Sequence, residues 1–269
     1  MSLDIPTLYL YIGFSNYFEL IATDDVTKDL ISFSIRRGRN HQLDKVDAGT
    51  AIFLLRNAHG NYWPGNTNSP YYPDIRPDRY IRLRAVYGAT DVYIYSGFVT
   101  AWVPGWLSEK GGLVPCMTLK CVDAIRQLSR YALNDGTGYA AQVSGTRVGA
   151  VLDSYGWSAT IRDIGTGAYT MQATGALKNQ NLMDHIRAVE DSEGGLFFVA
   201  ADGDVTFQDS TYRAALTVQA TFSDDISGGD MPYVLPEISF DDEYIYNQVR
   251  AQRIGGTEQV VNDTPSQGI

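Results

Sequence analysis

Tyr80-Ile81-Arg82-Leu83-Arg84-Ala85-Val86-Tyr87 puts Ile81, Leu83 and Ala85 on one side of an extended chain and Arg82 and Arg84 on the other. That period of two is the pattern of a half-buried strand. The following run, Val92 to Trp102, is also β-prone, so the pair predicts an antiparallel hairpin closed by the four-residue loop Gly88-Ala89-Thr90-Asp91. Upstream, Ile31-Ser32-Phe33-Ser34-Ile35 alternates in the same way and Thr50-Ala51-Ile52-Phe53-Leu54-Leu55 is β-prone throughout. No helical period precedes residue 115, and this half reads as a small antiparallel barrel or sandwich.

Downstream the period changes. Cys121 to Tyr131 places Val122, Ile125 and Leu128 on one face, predicting a short amphipathic helix. A second helix is expected over Ser144–Trp157, with Ser144 as N-cap and Gly156 as its stop. A third covers Asn181–Glu193, ended by Gly194-Gly195 and burying Leu182, Ile186 and Val189. Leu196–Ala200 and Val205–Phe207, joined by Ala201-Asp202-Gly203-Asp204, predict another hairpin. Strand character returns at Ile238-Ser239-Phe240 and Tyr244–Arg253, and again at Thr257–Val261 after Gly255-Gly256. The fold class is therefore α+β, mainly β. Three regions are expected: a β domain over 1–112, an α+β domain over 113–235, and over 236–269 the start of a second β-barrel or strands returning to the first.

The 269 residues carry 21 Lys and Arg against 31 Asp and Glu, a net charge of −10. Such a polyanion has no general attraction for phosphate backbones. The charge is uneven: residues 30–110 sum to +4 and residues 111–269 to −10. The change falls at Gly111-Gly112, which suggests the first boundary. At 44% hydrophobic the chain can bury a core. No run approaches the roughly 20 apolar residues that span a bilayer, and neither a membrane span nor a signal peptide is expected. Cys116 and Cys121 read as small apolar residues rather than a disulfide framework.

Nothing in the sequence assembles a reactive centre. His41, His59 and His185 lack metal-ligand spacing, and His185 reads as a solvated helical residue. Neither a Gly-x-Ser-x-Gly elbow nor a phosphate loop occurs. Asp202-Gly203-Asp204 is too short for a calcium loop, and Asp241-Asp242-Glu243 reads as a solvated turn. No catalytic residue, metal or cofactor is expected. Two other features invite contacts. The loop from Asn57 to Pro73 holds Tyr62, Trp63, Tyr71 and Tyr72, which either meet a partner subunit or cap the open end of the barrel. The cluster Arg36-Arg37-Gly38-Arg39 has Asp44 and Asp47 close by, as expected of a salt-bridge set within or between subunits.

In order along the chain, several motifs resemble one family. These are Ser34-Ile35-Arg36-Arg37-Gly38-Arg39, Leu43-Asp44, Ala48-Gly49-Thr50-Ala51, Leu55-Arg56-Asn57 and Asn66 to Pro73, followed by Gly145-Thr146-Arg147-Val148-Gly149, Ala188 to Gly195 and Tyr246-Asn247. Across residues 30–261 this order is similar to the minor tail proteins, the tail-tip or baseplate hubs, of long-tailed bacteriophages. The resemblance implies a tail-tube-like antiparallel β-barrel, an α+β domain and a second tube-like barrel. It further implies a non-enzymatic virion protein at the tail tip, built as a homotrimeric ring that continues the tail tube. A distal tail or tail-tube protein would sit above it and fibre or tail-tip proteins below, and DNA would pass through without specific binding. Arg36, Arg37, Arg39, Tyr62, Trp63, Tyr71 and Tyr72 are then the candidate subunit contacts. Family members usually continue well past the length seen here. Two alternatives remain. A hexameric distal tail protein would carry a β-sandwich where this sequence predicts helices. A carbohydrate-binding or glycan-cleaving module would need a pocket where aromatic faces and paired carboxylates converge.

Overall fold

The computed structural model describes residues 5–14, 20–40, 44–134, 136–218, 220–224, 230–233, 246–252 and 255–265. The chain divides into two compact units, Met1–Ala215 and Leu216–Ile269.

The first unit opens with six strands: β1 (Thr7–Ile12), β2 (Leu30–Arg36), β3 (Thr50–Arg56), β4 (Tyr80–Tyr87), β5 (Thr90–Glu109) and β6 (Gly112–Val122). They form one antiparallel sheet in the order β1-β4-β5-β6-β3-β2. The long β5 organises it, pairing with β4 as far as Phe98 and with β6 from there to its end. The expected hairpin turns in two residues, not four, because Gly88 takes a left-handed backbone (φ +61°) and Thr90 already pairs with Tyr87. Leu10 and Ile12 of β1, Phe53 and Leu55 of β3, Leu83 of β4, Tyr95 of β5 and Met117 and Leu119 of β6 share one core. The sheet thus curls over its own apolar face. Among the described residues no ladder joins β1 to β2, so the expected barrel is present as an open, curled sheet.

Strand β6 crosses the boundary expected at residue 112. Its alternation of Leu113, Pro115, Met117, Leu119 and Cys121 belongs to the sheet, and the break at Gly111-Gly112 is a hairpin turn. Cys121 and Val122 are consequently strand residues, and α1 (Ala124–Leu128) starts only after Asp123, whose carboxylate accepts from the Ile125 amide.

The rest of this unit comprises β7 (Ala132–Leu133), β8 (Gln142–Val143), α2 (Ser144–Tyr155), β9 (Arg162–Ile164), β10 (Thr170–Met171), β11 (Gln180–Asn181), α3 (Leu182–Glu193), β12 (Leu196–Val199), β13 (Val205–Gln208) and α4 (Tyr212–Ala215). Helix α2 ends where expected, on left-handed Gly156, but its N-cap is Val143, and Ser144 is buried in its first turn. Asn181 caps α3 through the Met183 and Asp184 amides, and left-handed Gly194 ends it. The predicted β12–β13 hairpin forms, with β9 added in parallel to β13. A second core joins α2, α3 and this hairpin to Tyr80 and Phe98 of the large sheet.

The second unit begins twenty residues before the expected 236. It contains two two-stranded sheets: parallel β14 (Phe222–Ser223) with β15 (Met231–Pro232), and antiparallel β16 (Gln248–Ala251) with β17 (Gln259–Asn262). The expected strand at Ile238-Ser239-Phe240, the acidic Asp241-Asp242-Glu243, His41 and Leu43 lie outside the described residues.

Candidate interaction surfaces and the joint between sheet and helices

The aromatic loop is ordered by its own backbone. The amides of Gly60, Trp63, Asn66, Ser69 and Tyr72 each donate to the carbonyl three residues earlier, making successive turns at a period of three. That spacing sends its aromatics two ways. Tyr62 is 1% exposed, donates to Asp29 Oδ2 at 2.6 Å, and stacks on Tyr71, which stacks on Phe14 with ring centroids 4.1 Å apart. Burial, with the Asp29 carboxylate next in weight, pushes the Tyr62 hydroxyl pKa up. Tyr62 and Tyr71 therefore cap the core, whereas Trp63 and Tyr72 are about half exposed.

Trp63 borders a groove of about 390 Å³ with Asn57, Ala58, Gly60, Pro104, Gly105, Trp106, Pro115 and Cys116. No carboxylate lines it, so the convergence of aromatic faces with paired acids that a glycan-cleaving module requires is not found here. The alternation of β5 and β6 continues past the core to the hairpin tip, leaving Trp106 and Leu113 each 68% exposed. Neither residue stands out by type in the sequence, although the period of two from Leu113 to Cys121 runs out to the tip.

The basic cluster separates as well. Arg36 is exposed. Arg37 bridges two parts of the unit, donating to the Ile94 carbonyl of β5 (2.9 Å) and the Val199 carbonyl of β12 (3.3 Å). Arg39 donates to the Asp44 carbonyl (3.1 Å), and burial followed by the nearby Arg213 guanidinium lowers its pKa. Of the expected set with Asp44 and Asp47, the Asp44 charge acts on Arg39 and opposes the lowering of its pKa. These arginines hold loops and strands largely through carbonyl oxygens.

Arg37 is one of several pins at this joint. The β12–β13 turn seats on β4 and β5 through Arg82 to the Asp202 carbonyl (2.8 Å) and Ser96 to the Ala201 carbonyl (3.0 Å). Gly203 (φ +100°) allows that approach, because a Cβ there would lie 2.7 Å from the Tyr80 hydroxyl. From α3, Arg187 pairs with Glu190 (2.6 Å) and donates to the Val46 carbonyl, while Glu190 accepts from the Phe197 amide (2.8 Å). His185 is buried, not solvated as expected, since it shares the α3 face of Leu182, Ile186 and Val189. Burial, then the Arg147 charge, lowers its pKa.

Asp123 is the titratable member of the joint. Its carboxylate, 5% exposed, accepts from the Gly49 amide at 2.6 Å and the Ile125 amide at 3.0 Å. Burial outweighs these bonds and the Arg37 and Arg187 charges, pushing its pKa from 3.8 up to about 6. The folded state then holds this proton more tightly than the unfolded chain. Stability falls as pH rises from the ordinary carboxylate value through about 6, by about 3 kcal/mol in all for a shift of this size. Asp123→Asn keeps a capping oxygen and removes the titration. Unfolding free energies of both proteins at pH 4 and pH 7 should therefore show the variant gaining relative to the wild type at the higher pH. A difference that stays constant with pH would refute this assignment.

No family model matches the sequence, and no curated protein matches it. Solved structures do. The chain resembles the 43 kDa tail protein of prophage MuSo2 from Shewanella oneidensis, with a TM-score of 0.56 and 13% identity over 97% of this chain and 70% of that one. It also resembles the tail protein from Neisseria meningitidis MC58, with a TM-score of 0.55 and 10% identity over 96% of this chain and 67% of that one. At such identities the likeness is one of fold. This chain is a mainly β, α+β protein with the architecture of those two tail proteins.

Proposed function

We propose that this chain is a non-enzymatic structural protein of a phage-type tail, a tail-tip hub whose curled sheet continues the tail tube as a ring. The observation that carries the reading is the fold shared with two tail proteins over nearly the whole chain. In the proposal the ring is a trimer lying between a distal tail or tail-tube protein and the fibre or tip proteins. The excess of acid after residue 110 suits a channel that passes DNA without holding it. Exposed Trp63, Tyr72, Trp106 and Leu113 supply apolar contact area for neighbouring subunits. Imaging of intact particles with the chain labelled tests this. Three copies at the tail end are expected. Six copies would favour the distal tail protein, and absence from particles would remove the tail role altogether.

A further inference from the structure

The large sheet has two edges, and they differ. The outer side of β1 is occupied at its centre, where the Val26 amide donates to the Leu10 carbonyl (2.9 Å) and the Leu10 amide to Thr27 Oγ1 (2.8 Å). Among the described residues, no backbone bond covers the outer side of β2. Its seven residues contain neither Pro nor Lys; Ser32, Phe33 and Ser34 are exposed, and its one irregularity, a register shift against β3 between Leu30 and Ser32, leaves the run Ser32–Arg36 regular. Natural edges usually carry such defences, because unpaired N–H and C=O groups recruit another strand.

The sequence of this edge is its own complement. Ile31-Ser32-Phe33-Ser34-Ile35 reads the same in both directions. In an antiparallel pair centred on Phe33, Ser32 faces Ser34 and Phe33 faces Phe33 of a second copy, while Ile31, at the register shift against β3, closes the match toward Ile35. Beyond the strand, Asp29 ends a 3-10 turn and accepts from Tyr62, and Arg37 donates to the Ile94 and Val199 carbonyls, so the match lies within the strand itself. Phe33 tilts against Phe53 on the core side and is 39% exposed, with no strand beyond β2 among the described residues. Like-with-like aromatic and β-branched pairs of this kind stabilise neighbouring strands.

We infer that two copies of the free chain join edge to edge through β2, antiparallel about a two-fold axis at Phe33, making one continuous sheet. A patch that complements itself gives a closed pair. A ring turned about a tail axis joins unlike surfaces instead, so this pairing belongs to the chain before assembly and shields the edge until then. The inference does not depend on the tail-tip reading, and the two can fail separately.

Charge placement tests the register. Sedimentation or native mass measurement of the full chain should give a dimer. Ser32→Lys/Ser34→Lys sets lysine against lysine twice and should give monomers at the same concentration, with secondary structure near wild type because both serines are exposed and an unfolding midpoint that no longer rises with protein concentration. Ser32→Lys/Ser34→Glu sets lysine against glutamate in this register alone and should restore the dimer. As a second readout, Phe33→Cys should be cross-linked by a short bis-maleimide, each thiol adding across one maleimide double bond, about tenfold faster than Trp106→Cys, since directly opposed Cβ atoms lie within roughly 5.5 Å. The native cysteines are buried and should stay silent. A monomeric wild type, a larger ring indifferent to the lysines, or equal cross-linking at the two positions would each overturn the pairing.

Discussion

Gly145→Ala should lower stability by at least about 3 kcal/mol, the upper range for forcing an atom into a packed site, while Gly149→Ala one turn later should raise it. Gly145 lies in the first turn of α2, where its amide donates to the Thr166 carbonyl at 3.2 Å. A Cβ at this position would fall on the Gly165 carbonyl oxygen and come within 2.6 Å of that of Thr166. Both obstacles are backbone, so no side chain can swing aside. Gly149 has nothing within 4 Å of its would-be Cβ. Alanine there only removes the entropic cost of a helical glycine, a gain of about 0.5–1 kcal/mol. Thermal or urea unfolding of the two variants reads the contrast directly, at about 2–4 °C per kcal/mol for a unit of this size. Equal effects at the two positions would show that the helix is not packed on residues 165–166 as described.

The same contrast explains what could be read from the sequence. Gly145-Thr146-Arg147-Val148-Gly149 was recognisable as a motif, but its spacing does not say which glycine is needed for close approach. That depends on a loop twenty residues away in the chain. Arg147 is 2% exposed and donates to the Ala140 and Gln172 carbonyls, a role its sequence neighbours do not reveal. Local signals served well where the answer was local. The strands at 30–36, 50–56 and 80–87, the glycine stops of α2 and α3, and the β12–β13 hairpin all follow from periodicity and turn chemistry. They failed where one pattern has two uses. Gly111-Gly112 suits a linker as well as a hairpin turn, and only the pairing of β6 with β5, down to Glu109 with Gly112, decides between them. Strand β1 is faint in the sequence because Leu8-Tyr9-Leu10-Tyr11-Ile12 alternates aliphatic residues with tyrosines, whose rings are themselves apolar, so the two faces contrast weakly. Arg37 was singled out for its charge, yet its partners lie 57 and 162 residues away.

Glu193→Gln should cost about 3 kcal/mol at neutral pH, because it disturbs several bonds to one buried charge. Glu193 is the last residue of α3, where the helix dipole disfavours an anion, and it is only 2% exposed. Other bonds outweigh that cost. Its Oε1 accepts from the Ala168 amide (3.1 Å), the Ser210 amide (3.2 Å) and the Ser210 hydroxyl (3.0 Å), and its Oε2 from the Tyr169 amide (3.0 Å). One carboxylate thus fastens the end of α3 to the 165–169 loop and to the segment after β13. Burial raises its pKa, but the nearby Ser144 hydroxyl, followed by the Tyr169, Ala168 and Ser210 amides, holds it below the usual carboxylate value. With the folded pKa depressed, the stabilisation is fully present above the ordinary carboxylate range and is lost as pH falls through the folded value. Glutamine offers one oxygen and turns an NH₂ group toward a donor, leaving buried amides unpaired. Urea unfolding should show wild type and variant far apart at pH 7 and drawing together toward pH 3, with Ser210→Ala losing only about 1 kcal/mol for its single hydroxyl bond. The slope runs opposite to that of Asp123, so the double variant Asp123→Asn/Glu193→Gln should lose both pH dependences. A gap for Glu193→Gln that stays fixed across this range would mean that the side chain is held by packing rather than by its charge.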